Sequence, residues 1–388
     1  MPGTSTALGT EWSLLLAACS ANPSQEKLNR IRPLLQKSVP WMSLYGLADQ
    51  QGTMPLLYRA LRELSDEVPA NELASLKQYH QANLHKALLL SRELFRILDC
   101  LSAGGVEVLP YKGLALAEVV YGDIALRQAG DIDLLIRPDD LARIRNAVRD
   151  LGYTPHLVLS EAEERAYLKS GYECAFDGAA GRNLLEVQWA LQPRFYAVDL
   201  DMDGVFERAV MVSVAGRSMK TPSPEDLFLV LSLHAAKHVW GRLIWLCDIA
   251  QFMNLRALNW NWIEAQARTL GIARILQVTM LLANRLLGAA IPSSNLMVPD
   301  RATLALAEEI QSHIVTGATC DVESLAYFRL MLRLRERRTD RLRFLQRLVF
   351  TPGPSEWKAV RIPPTLFPLY RLVRLSRLAA KLVRSGPA

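Results

Sequence analysis

Apolar residues recur three and four positions apart from about residue 10 to residue 100, through LNRIRPLLQK, MPLLYRALREL and ALLLSRELFRILDCL. That is the period of one helix face, so this region is expected to be helical, with breaks at Pro23, Pro40 and Pro69. The texture changes at Gly104-Gly105. Residues 106–111 (VEVLPY) have strand character, KGLALAEVVYG reads as a helix closed by Gly122, and residues 131–136 form an aliphatic strand. Pro138 with Asp139 and Asp140 opens a helix that stops at Gly152, with proline in the first turn and acids at its positive end. Two strands follow at 172–177 and 184–191, joined by the turn DGAAGRN, then a shorter pair at 210–214 and 217–220. Helix resumes at Pro224 and runs to about 290; a proline-containing segment near 292–299 leads to more helix. No internal repeat is evident. The pattern predicts an α+β protein with a helical region at 1–103, an α/β core at 104–222 and a second helical region at 223–388.

Within that core, alternation along the strands separates chemistry from packing. In GDIDLLI, Asp131 and Asp133 point to one face, while Ile132, Leu134 and Ile136 point to the other. In LLEVQWAL, Glu186 and Gln188 share a face opposite Leu185, Val187 and Trp189. Neighbouring carboxylates repel, and burial makes that worse; a divalent cation removes the penalty, and Mg²⁺ prefers hard oxygen ligands. Three carboxylates converge if these two strands are neighbours, which is what two-metal phosphoryl chemistry requires. Taken alone, a DxD on a strand is as readily an exposed edge with solvated acids.

The preceding stretch adds anion donors. Lys112-Gly113 stands at a strand-to-helix junction, where glycine allows close backbone approach and the helix start offers free N–H groups to phosphate. Arg127 adds a guanidinium fork just before the acids. The order KGxALxxxxYxxxxxRxxxDIDLL resembles the uncharacterised nucleotidyltransferase family of bacteria, within the DNA polymerase β-like superfamily. LEVQWAL and SPEDLFLVLSLHAAKHVWGRLIWLCDIAQF are similar to it as well. The resemblance implies a mixed sheet with helices on one face, flanked by N-terminal and C-terminal helical regions. It implies that Asp131 and Asp133 bind both metal ions, Mg²⁺ or Mn²⁺ in its place. Glu186 would complete the metal site and help deprotonate the acceptor, and Lys112, Gly113 and Arg127 would hold the triphosphate of an NTP such as ATP. The chain departs from the superfamily in having Lys-Gly where many members have Gly-Ser, in a long gap before the first Asp, and in Gln188 where relatives often show His.

His234 and His238 lie four apart on one helix face with Lys237 beside them. A zinc pair would need the HExxH glutamate, and Ala235 stands in its place. The alternatives are a cleft lining that touches nucleotide or acceptor, or histidines packed between helices and bonded to Asp248 or backbone. Trp240 and Trp245 read as core anchors.

Charge then separates the tail from the rest. Residues 328–388 hold 15 Lys and Arg against three acids, an excess of +12 in a chain whose net charge is +6. RLMLRLRERRTDRLRFLQRLVF reads as a basic amphipathic helix placing Leu330, Leu334, Leu342 and Leu345 among arginines. It suits RNA, an anionic membrane surface or an acidic partner, or is simply the solvated side of a packed helix. Tyr327, Phe328 and Phe344 are few for base stacking. The five cysteines (Cys19, Cys100, Cys174, Cys247, Cys320) show no CxxC spacing and read as free thiols in a reducing compartment. The short apolar run at 12–19 follows no Lys or Arg, and no stretch of about 18 apolar residues occurs, so a cytoplasmic protein without a membrane span is expected.

The reaction that the family resemblance implies for these acids is transfer of a nucleoside monophosphate from an NTP to a hydroxyl or phosphate acceptor, with release of pyrophosphate. The acceptor could be a small molecule, a peptide, a glycan or an RNA end. Competing expectations are a toxin-like nucleotidyltransferase acting on tRNA or other RNA, and a non-catalytic NTP-binding scaffold.

Overall fold

The computed structural model describes residues 8–181, 183–254, 258–292, 298–317, 324–352, 356 and 359–384. Cys320, much of the proline-containing segment near 292–299 and Arg182 of the DGAAGRN turn lie outside these. The apolar period of the first hundred residues becomes five helices: α1 (Thr10–Cys19), α2 (Ser24–Leu35), α3 (Trp41–Gln50), α4 (Met54–Leu61) and α5 (Ala70–Ala103). Pro23, Pro40 and Pro69 are the N-cap residues of α2, α3 and α5, where a missing N–H interrupts no helical ladder. At 34 residues, α5 spans about 50 Å and carries Leu90, Leu94, Ile97 and Leu101 as a buried stripe.

That stripe packs beneath a five-stranded mixed sheet. Its strands are β1 (Leu109–Pro110), β2 (Asp131–Leu135), β3 (Thr154–Pro155), β4 (Glu173–Asp177) and β5 (Leu184–Gln188), in the order β1-β2-β5-β4-β3. Strands β2 and β5 run parallel, and the other pairs are antiparallel. The helix α6 (Gly113–Tyr121) links β1 to β2, while α7 (Leu141–Asp150) and α8 (Glu161–Leu168) lie between β2 and β4. Ile132, Leu134, Leu185, Val187 and Phe176 form one core with the α5 stripe and with Ile144 and Val148 of α7. The mixed sheet expected from the family resemblance is present.

Some strands are shorter than the pattern predicts. β1 keeps two residues of the expected 106–111, because Pro110 has no N–H to extend pairing at this edge. β5 ends at Gln188, where the N–H groups of Trp189 and Ala190 both turn to the Tyr172 carbonyl. Neither β3 nor α8 is foreseen from the pattern, although Ser160 and Glu163 form a complete capping box at the start of α8.

After a short helix α9 (Met202–Glu207), β6 (Val210–Val214) and β7 (Arg217–Thr221) make a separate hairpin. Ala215 and Gly216 both take positive φ at its turn, the twist-matched geometry of a two-residue loop. Thr221 donates its hydroxyl to the Pro110 carbonyl at 2.8 Å, seating the hairpin against β1.

The remaining helices are α10 (Pro224–Lys237), α11 (Leu243–Asn254), α12 (Trp260–Leu270), α13 (Ala273–Leu287), α14 (Arg301–Thr316), α15 (Leu325–Arg333), α16 (Arg338–Phe350) and α17 (Tyr370–Arg384). The core of α10–α16 is continuous with that of α1–α4. The Ser20 hydroxyl and the Ala21 N–H both donate to the Leu287 carbonyl, and Gln51 accepts from the backbone of Leu243 and Ile244 at the start of α11. The basic amphipathic segment expected as one helix is broken into α15 and α16. At the break Arg335 is buried, donating to the carbonyls of Met331 and Tyr196 and stacking on Tyr196 and Phe344. No helix of the described residues is long and apolar enough to cross a membrane.

Candidate active site

Because β2 and β5 are adjacent and in register, Asp133 and Glu186 are direct partners across the two strands. Asp131 lies two residues before Asp133, opposite Leu184, on the same face. Side chains of that face are bonded to one another. Lys112 Nζ donates to Asp133 Oδ1 at 2.9 Å, Asp133 being buried and Lys112 partly so. Gln188 is the hub: its Nε2 donates to Glu186 at 3.1 Å and to Glu173 at 3.2 Å, and its Oε1 accepts from the Tyr111 hydroxyl. β4 supplies Glu173 because its register sets that residue opposite Gln188.

The electrostatics follow from packing acids together. Burial, then the charges of Asp133 and Glu173, pushes Glu186 up to about 8. Burial and Asp133 raise Asp131 as well. Burial works against the Lys112 ammonium, but Asp133 and Tyr111 together outweigh it and hold Lys112 well above its usual value. These donors fit a hard divalent cation in kind. Among the described residues, no three His, Cys, Asp or Glu side chains are arranged around a common point as they stand, and Lys112 supplies the positive charge beside Asp133.

Gly113 sets the helix start against the strand start. Its φ is +52°, and a Cβ there would stand 3.3 Å from the Asp131 carbonyl oxygen. The first turn of α6 therefore lies beside the acids, with Lys112 as its N-cap residue.

Arg127 is placed differently from the expectation. It is buried, and its Nε donates to Asp248 of α11 at 3.1 Å, where the Tyr121 hydroxyl also donates. Asp248 therefore serves Arg127 and Tyr121, not the histidines for which it was one expected partner. The His234 and His238 rings lie 4.8 Å apart, and both pack on Trp245 at 5.0 and 5.4 Å. Burial holds His234 well below the usual histidine value, aided by Lys112 and Lys237. Burial with the charges of Lys237 and Lys112 brings His238 down to about 3. Lys237 lies 5.3 Å from the Tyr172 ring centroid; burial lowers its ammonium in spite of Glu173, Glu186 and Asp133, all within electrostatic reach. The end of α10 thus faces the carboxylates.

The chain between α10 and α11 is strained. Val239 and Trp240 both take left-handed φ, at a cost of roughly 1–3 kcal/mol each. The Trp240 N–H to the Ala235 carbonyl and its indole N–H to Thr279 hold this turn, which makes α10 and α11 two helices. Trp240 is fully buried, as a core anchor should be.

Sequence reasoning passes over Glu173 and Tyr111. Counting the hairpin register from the DGAAGRN turn would have found Glu173. Tyr111 lies on the predicted strand just before Lys112 but carries no motif of its own. A cavity of about 270 Å³ bordered by Arg145, His156, Tyr167 and Phe176 lies under the β3–β4 edge. Glu173 also borders it, but Asp131, Asp133, Glu186 and Lys112 do not, so this cavity is not the carboxylate site.

The profile of the uncharacterised nucleotidyltransferase family matches residues 37–288, a span that holds every one of these site residues, and the chain belongs to that family. No protein of curated function matches it. Two solved structures are similar at low identity. The crystal structure of ANT(2″)-Ia in complex with adenylyl-2″-tobramycin is 14% identical, covering 46% of this chain and 95% of that one, with a TM-score of 0.34. The solution structure of the antibiotic-resistance factor ANT(2″)-Ia is 15% identical, covering 48% and 91%, also at 0.34. Likeness at that level carries no argument about chemistry.

Proposed function

We propose that this protein transfers a nucleoside monophosphate from an NTP to a hydroxyl or phosphate acceptor, releasing pyrophosphate, with Asp131, Asp133 and Glu186 holding Mg²⁺ or Mn²⁺. The observation that supports it best is the pairing of Asp133 with Glu186 across parallel strands, beside a helix N-terminus headed by Lys112 and Gly113. A bound divalent cation would neutralise the triphosphate and relieve the repulsion that raises Asp131 and Glu186.

The chain's own residues supply the rest. Lys112 exchanges Asp133 for a phosphate oxygen when nucleotide enters, and the N–H groups of the first turn of α6 line the triphosphate. Arg127, locked to Asp248, adds a fixed positive charge behind the acids. Glu186, opposite Asp133 on the neighbouring strand, would receive the acceptor's proton. Gln188 orients Glu186 and Glu173. His234 and His238, neutral at physiological pH, border the nucleotide with Lys237. Catalysis is then positioning and charge neutralisation.

The test is calorimetric binding of NTP with Mg²⁺ and pyrophosphate release, compared between the wild type and Asp131→Asn, Asp133→Asn and Glu186→Gln. Binding with loss of turnover in all three variants supports the reading. A wild type that neither binds nor turns over NTP ends it, and normal turnover by Glu186→Gln removes the third carboxylate alone.

A further inference from the structure

A surface helix ordinarily buries its apolar stripe and turns its cations to water. In α17 the arrangement is reversed in part. Arg374 is buried, donating to the Leu348 carbonyl at 2.6 Å and to Glu356 at 3.3 Å. Arg377 pairs with Glu356 as well, and Tyr370 is buried with its hydroxyl on the Val360 carbonyl. The outward side carries Leu372 and Leu375, which are 59% and 37% exposed, continuing Leu366 and Leu369 at three-residue spacing. The neighbouring α16 buries Phe344 and Leu348 and exposes Leu342, Leu345 and Phe350 between the exposed Arg338, Arg341 and Arg343. Large side chains left outward along two packed helices mark a docking surface.

The chemistry around the leucines selects the occupant. Arg338, Arg341 and Arg343 of α16 and Arg371 of α17 are exposed, so the surface suits an anionic partner. A second copy of the chain is disfavoured, because a two-fold contact would bring the same arginines against each other. Single-stranded nucleic acid needs aromatic platforms, and among the exposed large apolar side chains of these helices only Phe350 is aromatic. Outward leucines bordered by arginines match a helix lying in the headgroup layer of an anionic bilayer, with leucine in the acyl boundary and arginine at phosphate. We propose that α16 and α17 form a peripheral docking surface for anionic membrane lipid.

Flotation of the full-length protein with vesicles of phosphatidylcholine alone, and of phosphatidylcholine mixed with phosphatidylglycerol, tests this. The wild type should float with the mixed vesicles at low salt and stay behind with phosphatidylcholine. Leu372→Ser/Leu375→Ser and, on the other helix, Leu342→Ser/Leu345→Ser should each weaken partition by roughly tenfold or more, with unchanged thermal melting. Arg338→Gln/Arg343→Gln should weaken it and flatten its salt dependence. The proposal is overturned by no flotation on anionic vesicles, and equally by leucine variants that float like the wild type, since charge alone would then explain binding. Binding of a labelled single-stranded RNA, or a dimer that the leucine changes dissociate, with no vesicle binding, would reassign the surface.

Discussion

Gln188 accepts from one hydroxyl and donates to two carboxylates, so its replacement should be felt out of proportion to its size. Gln188→Leu leaves the Tyr111 hydroxyl without its acceptor and should cost about 1–3 kcal/mol in urea denaturation. On the proposed reading it also lowers pyrophosphate release, by freeing Glu186. For Asp131→Asn and Asp133→Asn the expected loss of turnover is about a hundredfold or more, with the fold retained by circular dichroism. The histidines predict a pH effect of definite sign. His238 titrates at about 3 when folded against an ordinary value of 6.5, so below 6.5 the unfolded chain binds a proton that the folded chain does not. Stability from this source is present above 6.5 and is lost as pH falls toward 3. Thermal melts should show the wild type losing more stability than His238→Gln between pH 7 and pH 5; equal losses would mean that His238 is not held neutral. At this scale Asp131, Asp133 and Lys112 are legible in the sequence, because alternation and a strand–Gly–helix junction are local patterns. Arg127 was visible as a cation, but its partner Asp248 lies 121 residues away, and nothing local announces such a pair.

Among the elements, α6 depends on Gly113 more than on its helix-forming residues. Gly113→Ala sets a Cβ 3.3 Å from the Asp131 carbonyl at φ +52°, which should cost more than about 1 kcal/mol and weaken NTP binding before it unfolds the protein. Calorimetry on the folded variant checks this, and unchanged affinity would argue against triphosphate at that helix start. Helices were readable because their apolar period runs over many residues, and the proline breaks fell on true N-caps. β1 was readable only as part of a longer strand at 106–111, and the two-residue β3 not at all, since two residues hold no period and its pairing is set by a partner elsewhere in the chain. The α15–α16 break escaped because Leu330, Leu334, Leu342 and Leu345 keep a helical rhythm across it. Burial of Arg335 against Tyr196 decides it, and the first two leucines face inward while the last two face out.

For the whole molecule, the sheet's apolar face is covered by α5 from one flank of the chain and reached by Tyr370 from the other. Residues 104–222 expressed alone should therefore give no dispersed amide spectrum, since the stripe of Leu90, Leu94, Ile97 and Leu101 would be missing from their core. A well-dispersed spectrum would show that this segment folds independently. By itself the sequence determined the helix and strand faces, the pairing of two acids on one strand, the family, and the concentration of positive charge in the tail. The family rests on resemblance of motifs along the chain, and each of the others depends on residues a few positions apart or on composition. Only the tertiary structure decided that β5 lies beside β2, that Glu173 joins the acids, that Asp248 holds Arg127, and that α17 turns Leu372 and Leu375 outward. Those outcomes depend on which distant surfaces meet, and burial sets them for the molecule as a whole.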